Sequence, residues 1–241
     1  LAGMRDHTHH RNELPWEFAQ FVKKVRPKIA LLENVSGILR AFKIDGKQYY
    51  AWFEVAKAFA KVGYIPLCLH VNAKYAGTAQ NRPRFIMISI RHDIYKSIKR
   101  NSKDQDLIDL LKPSADLYFN IKKSINPEYG SLPYYDIEKD SQLFDKSILS
   151  PLTARKEKKF SVKDAIDDLR SVSESESQSD YVDLINGCYE NYHGHQPDKS
   201  INHIHRRNNN KVRARFRLYQ IMNKLTKEQS KIISRHLKTA G

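Results

Sequence analysis

Residues 29–32, Ile-Ala-Leu-Leu, form an unbroken apolar run that stops on an ionisable Glu33 and an amide, Asn34, with Gly37 in the turn just beyond. A parallel strand buried on both faces reads as continuous hydrophobics, and sheets built of such strands bind ligands beyond the carboxyl ends of their strands. The run therefore predicts an open α/β sheet with Glu33 at its rim. Glu33-Asn34-Val35 also fits a solvated carboxylate that merely opens a loop, and on three residues both readings stand.

The flanks alternate helix and strand. From Asn12, an N-cap residue type, apolar residues recur at Leu14, Phe18, Phe21, Val22 and Val25 with the spacing of one helix face, and Pro27 ends the run. Beyond the Glu33 turn, Trp52, Phe53, Val55, Ala56, Phe59 and Ala60 predict a second helix over 50–62, closed by Gly63. Two short runs rich in β-branched and aromatic residues, 64–71 and 84–90, predict strands joined by a loop over 72–83. Where the loop meets the second strand, Gln80, Arg82 and Arg84 alternate. On an extended segment a period of two puts all three on one side, a fork of two guanidiniums and an amide suited to phosphate oxygens and base edges. The competing reading is a charged strand entrance facing water.

Lysine and arginine number 42 against 27 acids, a net charge of +15 over 241 residues. The chain is long enough for one large domain or two small ones, and its charge favours a polyanionic partner, either nucleic acid or an anionic membrane surface. No apolar run approaches the roughly 20 residues of a spanning helix, and no signal peptide precedes the first charges at Arg5 and Asp6. Nucleic acid, no membrane and an intracellular, cytoplasmic setting are the expectation. Two cysteines, Cys68 and Cys188, make no disulfide framework. Cys68 stands between Leu67 and Leu69, where a thiol behaves as a small buried hydrophobe.

Residues 94–160 mix Pro113, Pro127, Pro133 and Pro151 with scattered aromatics and predict irregular structure or short strands. Residues 171–180 are a serine-and-acid run, expected as an exposed flexible loop between two parts. The final part is the most basic: Arg206, Arg207, Lys211, Arg213, Arg215 and Arg217 come without one acid among them, and 211–225 continues as an amphipathic helix with Phe216, Tyr219, Ile221 and Met222. Arg206, Arg207, Arg213 and Arg215 are the candidates for phosphate contact, with a solvated helix face as the alternative. Cys188, His193, His195, His203 and His205 match no familiar structural-zinc spacing, and no metal is expected.

Read in order, Glu33-Asn34-Val35-Ser36-Gly37 followed by Asn72-Ala73, Tyr75, Gly77, Gln80, Arg82 and Arg84 resembles the later half of the DNA (cytosine-5) methyltransferase family. There a Glu-Asn-Val strand end leads through a helix to a Gln-x-Arg-x-Arg loop. Each motif is weak alone, and their order and spacing carry the resemblance, which thins beyond Asp93; residues 162–169 are similar to an acidic-apolar segment that precedes the family's target-recognition region. The resemblance implies that Glu33 holds N3 of a flipped-out cytosine, that Arg84 contacts that base and its backbone, that Gln80 and Arg82 support the pocket and the DNA strand, and that Asn34 braces the loop carrying the nucleophile. It implies S-adenosylmethionine as methyl donor, double-stranded DNA as substrate, and a prokaryotic or phage restriction-modification setting.

The resemblance also says what to expect outside the chain. The family's Pro-Cys thiolate, which attacks C6, and a glycine loop for S-adenosylmethionine precede residues like Leu1-Ala2-Gly3-Met4-Arg5, and here no two of the nine glycines lie closer than Gly187 and Gly194. The cofactor site is thus expected mostly outside this chain. Activity is expected to need a missing amino-terminal methyltransferase segment, in cis or as a separate chain, with this chain alone inactive. The expected architecture is α/β: the later half of a doubly wound, Rossmann-like methyltransferase sheet, followed by a mixed, partly helical basic region. Residues 1–92 are the catalytic part, 93–170 a connecting region, 171–180 the acidic loop and 181–241 the DNA-contacting region. Strands are expected near 28–32, 65–71 and 84–90, the last two antiparallel. The alternative is a non-catalytic DNA-binding remnant of such an enzyme.

Overall fold

Helix α1, Leu14–Val25, lays down strand β1, Ile29–Val35. The structure, a computed structural model, describes residues 13–44, 46–145, 147–157, 159–166, 181, 184–185, 187 and 208–239. Helix α1 has Glu13 rather than Asn12 at its cap position, and Asn12 lies outside the described residues. Pro15 occupies the first turn, where its missing N–H costs no bond. The helix stops at Arg26, whose left-handed φ of 52° lets its N–H donate to the Val22 carbonyl, and Pro27 bars continuation.

After β1 a 3-10 turn, Ser36–Leu39, leads to a small hairpin of β2, Phe42–Ile44, and β3, Lys47–Tyr49, with Gly46 at φ 76° in its turn. This hairpin is an addition to the expected elements, although Asp45-Gly46 is a turn signal of that kind. Helix α2, Ala51–Lys61, buries Trp52, Phe53, Val55, Ala56, Phe59 and Ala60. Gly63 then takes φ 102°, a conformation that a side chain would strain, and its N–H donates to Ala60.

Strands β4, Tyr64–Asn72, and β5, Pro83–Arg91, pair antiparallel along their whole length, from Tyr64 opposite Arg91 to Asn72 opposite Pro83. Strand β5 also runs antiparallel to β1, and β6, Tyr135–Asp136, joins β4 in parallel, so the order is β1-β5-β4-β6. The three expected strands and the antiparallel pairing of the last two are present in a mixed sheet. The strand buried on both faces is β4, however, not β1. Ala30 and Leu32 are buried, but Ile29 and Leu31 are 55% and 59% exposed, because among the described residues no helix packs over their face of β1, which is also an edge strand of the sheet. Pro66 is tolerated inside β4 because β6 reaches only Leu69 and His70, leaving an edge beside the proline, where Ser114 Oγ donates to its carbonyl at 2.6 Å.

Residues 94–160 are not irregular throughout. Helices α3, His92–Asn101, and α4, Gln105–Lys122, occupy most of 94–122. Pro113 lies inside α4 without ending it. The carbonyl left without its helical donor belongs to Asp109 on the exposed side, where water can serve it, while Leu107, Leu110, Leu111, Ala115, Leu117 and Tyr118 pack inward on β4 and α2. Asp104 caps α4, its carboxylate accepting the Leu107 N–H at 2.8 Å. On the sheet, α2 sets Trp52 against Phe85, ring centroids 6.4 Å apart, and Phe18 of α1 meets Phe59 at 5.7 Å. Helix α5, Val162–Ile166, covers the start of the acidic-apolar segment.

The chain divides into two compact units, Leu1–Ile185 and Asn186–Gly241. In the second, α6, Asn210–Met222, is capped by Asn209, whose Oδ1 accepts the Val212 N–H at 2.9 Å, and α7, Lys227–Thr239, follows. The serine-and-acid run 171–180 lies outside the described residues. Among the described residues no helix is long and apolar enough to cross a membrane.

Candidate functional site

Register brings the two central candidates together. Val35 stands opposite Arg84 and Glu33 opposite Ile86, so Glu33, Val35, Arg84 and Ile86 share one face, and the long arginine bridges the diagonal. Arg84 Nε donates to Glu33 Oε1 at 2.6 Å, with the arginine side chain 21% exposed and the glutamate 52%. Arg84 Nη1 also donates to the Pro83 carbonyl at 2.8 Å, which fixes the guanidinium from a second side. A charge-assisted pair at the carboxyl end of β1 thus presents an acid and a cation together to the space beyond the rim.

Asn34 lies on the opposite face, level with Phe85, and is half-buried; its Oδ1 accepts the N–H of Val35 at 2.8 Å, so the side chain folds back on its own turn. Gln80 and Arg82 do not share a strand face with Arg84 as the alternation predicts. Strand β5 begins only at Pro83, and the chain before it turns sharply, with the Gln80 N–H donating to the Thr78 carbonyl at 2.7 Å. Both side chains are exposed in the loop. That loop starts with a 3-10 turn, Ala73–Ala76, and buries Tyr75, whose hydroxyl is pushed up to about 12 by burial first and by Glu138 next.

Two features of the rim escape sequence reasoning. Asn72 bonds both ends of the loop, accepting the N–H of Lys74 at 3.3 Å and of Arg82 at 3.1 Å and donating to Asn81 Oδ1 at 2.8 Å. His70, in the row that runs from Asn34 through Phe85, meets Asp136 of β6, Nδ1 to Oδ2, at 2.8 Å. Burial raises the Asp136 carboxyl, but hydrogen bonds from His70 and the Glu138 N–H outweigh it and hold the group below the usual carboxylate range. A histidine interrupting an apolar strand is the one signal available, since its partner lies far along the chain.

Cys68 is fully buried in β4, and burial pushes its thiol well up, so it is an inert core residue and no nucleophile. Arg213 and Arg215 are exposed on α6, while Arg206, Arg207, Cys188, His193, His195, His203 and His205 lie outside the described residues. Among the described residues no group of three or more histidine, cysteine or acidic side chains is placed to hold a metal.

A sequence profile of the family described as C-5 cytosine-specific DNA methylase matches residues 1–236. The chain is 38% identical over 93 residues to the type II methyltransferase M.DdeI of Desulfomicrobium norvegicum, covering 39% of this chain and 22% of that protein. It is 34% identical over 88 residues to the orphan methyltransferase M.SPRI of Bacillus phage SPR, covering 36% and 19%. Against the type II methyltransferase M.HindV of Haemophilus influenzae it is 27% identical over 146 residues, covering 58% and 45%. The matches thus span between about a fifth and just under half of these relatives' lengths. No solved structure matches the chain significantly.

Proposed function

This chain belongs to the C-5 cytosine-specific DNA methylase family, and from that premise we propose that it supplies the base-holding part of a DNA (cytosine-5) methyltransferase that acts on a flipped cytosine in duplex DNA. The observation that carries the reading is the Glu33–Arg84 pair at the sheet rim. Carbon C5 of cytosine is a poor nucleophile until a thiolate adds at C6, and that addition is eased by an acid group bound to N3 that draws off the arriving charge. Glu33 has one carboxylate oxygen on Arg84 and the other without a partner among the described residues, so N3 can be met without dismantling the pair. Arg84 keeps N–H groups for the base and its phosphate, which help hold the nucleotide outside the duplex. Gln80 and Arg82, exposed beside it, line the DNA strand, and Asn34 stiffens the turn after Glu33.

The described residues do not fit the family's methyl donor, S-adenosylmethionine. Gly46, Gly63, Gly77 and Gly130 each close a separate turn, and none forms a glycine cradle. With Cys68 buried and Cys188 preceded by Gly187 rather than by the proline of the family's Pro-Cys pair, the thiolate too is assigned to a further methyltransferase segment, in the same polypeptide or as a separate chain. The open edge of β1 supports such completion. Ile29 and Leu31 beside that edge and the stripe Leu14, Phe21 and Val25 on α1 are large apolar groups left to water, which a doubly wound, Rossmann-like sheet continuing past β1 would cover. The names of the relatives suggest a restriction-modification setting. A non-catalytic DNA-binding role is the reading to exclude.

The test joins this chain to an amino-terminal segment carrying thiolate and donor site and follows tritiated methyl incorporation into duplex DNA. Glu33→Gln keeps the shape and loses the acid, and the chemical step is expected to slow by roughly 100-fold or more. A parent rate in that variant makes Glu33 a loop carboxylate and ends the assignment.

A further inference from the structure

The loop that delivers Arg82 and Arg84 to the rim has few anchors of its own: Thr78, Gln80, Asn81 and Arg82 are exposed, and within it only Tyr75 and Gly77 are buried. Its two ends are tied by one amide. Asn72, the last residue of β4, uses Oδ1 to accept from Lys74 N–H on the outgoing side and from Arg82 N–H on the returning side, while Nδ2 donates to Asn81 Oδ1. A backbone bond from Ala73 N–H to the Arg82 carbonyl, 3.3 Å, closes the same neck. The path from this tie to the guanidinium is short. Arg82 is held at its N–H, Pro83 follows with its φ locked by the ring, and the Pro83 carbonyl is the group to which Arg84 Nη1 donates.

We propose that Asn72 is a positioning residue for Arg84: it fixes the entry of β5 and thereby the angle at which Arg84 meets Glu33 and the extruded cytosine. This rests on the base-holding reading above. An asparagine suits the role because one side chain offers both an acceptor and a donor. Asn72→Ala removes all three bonds. Asn72→Asp keeps the acceptor for both backbone N–H groups, and Asn81 can turn its amide to donate to the second carboxylate oxygen, so it is the conservative replacement.

The test uses the whole chain, amide hydrogen exchange at Lys74 and Arg82, and titration with a short duplex that holds a cytosine opposite an abasic site, where extrusion costs least. In Asn72→Ala both amides are expected to exchange at least about 10-fold faster, and affinity to fall roughly 5- to 10-fold, the scale of one or two missing hydrogen bonds. Asn72→Asp is expected to restore most of both. Because the effect passes through Arg84, Asn72→Ala should cost nothing further in an Arg84→Ala background. Parent exchange rates in Asn72→Ala, or a loss of affinity that adds in full to that of Arg84→Ala, overturn the proposal. Faster exchange with unchanged affinity, while Arg84→Ala still weakens binding, overturns it alone. Parent affinity in Arg84→Ala overturns the base-holding reading and this proposal together.

Discussion

Glu33 and Arg84 sit on strands of opposite direction and are not directly opposed, since Val35 takes the place across from Arg84. Only a long side chain spans that diagonal, and only a planar fork does so while still bonding the Pro83 carbonyl. Charge alone is therefore not enough. Arg84→Lys is expected to weaken capture of the abasic-site duplex by roughly 10-fold, the worth of one charged hydrogen bond, and parent affinity in the lysine variant would reduce Arg84 to a point charge. His70 and Asp136 give a second residue-level expectation. The Asp136 carboxyl is depressed in the fold, so its contribution to stability is complete above the unfolded value near about pH 4 and is lost as pH falls through the lower folded value. Urea unfolding between neutral and strongly acid pH should show the parent losing stability below about pH 4 more steeply than Asp136→Asn. Parallel curves would mean the pair contributes nothing.

The elements legible in the sequence are those whose local pattern and tertiary setting agree. Strands β4 and β5 are runs of β-branched and aromatic residues, and α2 shows one apolar face before a glycine stop. Helix α4 is hidden because Pro113 reads as a breaker, whereas the packing of Leu107, Leu110, Leu111 and Leu117 outweighs one absent hydrogen bond. The burial of β1 is overstated by its sequence for the converse reason: a continuous apolar run does not reveal whether anything covers its outer face. In the site, Glu33 and Arg84 are legible as motif residues, but the tie at Asn72 and the His70–Asp136 pair depend on side-chain contacts that spacing does not encode. The start of α4 has its own test. Asp104 accepts the Leu107 N–H and, with its other oxygen, the Ile148 N–H at 3.0 Å, so it both caps the helix and pins the segment after it. Asp104→Ala is expected to cost about 1–2 kcal/mol in chemical unfolding, and a loss below about 0.3 kcal/mol, no larger than that of an ordinary surface change, would mean that neither bond matters.

Across the whole molecule the net charge of +15 has to be placed where a polyanion can use it. Helix α6 carries Lys211, Arg213, Arg215 and Arg217 with no acid, all four exposed, and it begins with the free N–H groups of a helix amino terminus behind the Asn209 cap. Helix ends of that polarity and clustered guanidiniums both favour phosphate. On the proposed reading the rim of the sheet holds a single base and contributes little to salt dependence, whereas a basic helix that neutralises several phosphates would release a counterion for each. The two regions should therefore separate in one experiment. When log affinity for duplex DNA is plotted against log salt, replacing Arg206, Arg207, Arg213 and Arg215 together by alanine is expected to flatten the slope by roughly 0.9 for each phosphate no longer neutralised, up to roughly 3.6 for all four. Arg84→Ala is expected to lower affinity at every salt concentration with a change in slope of roughly 0.9 at most. The described members of the quartet, Arg213 and Arg215, are exposed, so a parent-like unfolding midpoint should accompany the flattened slope. An unchanged slope in the quadruple variant would return α6 to a solvated helix face and leave the charge of the chain without a DNA-binding role there.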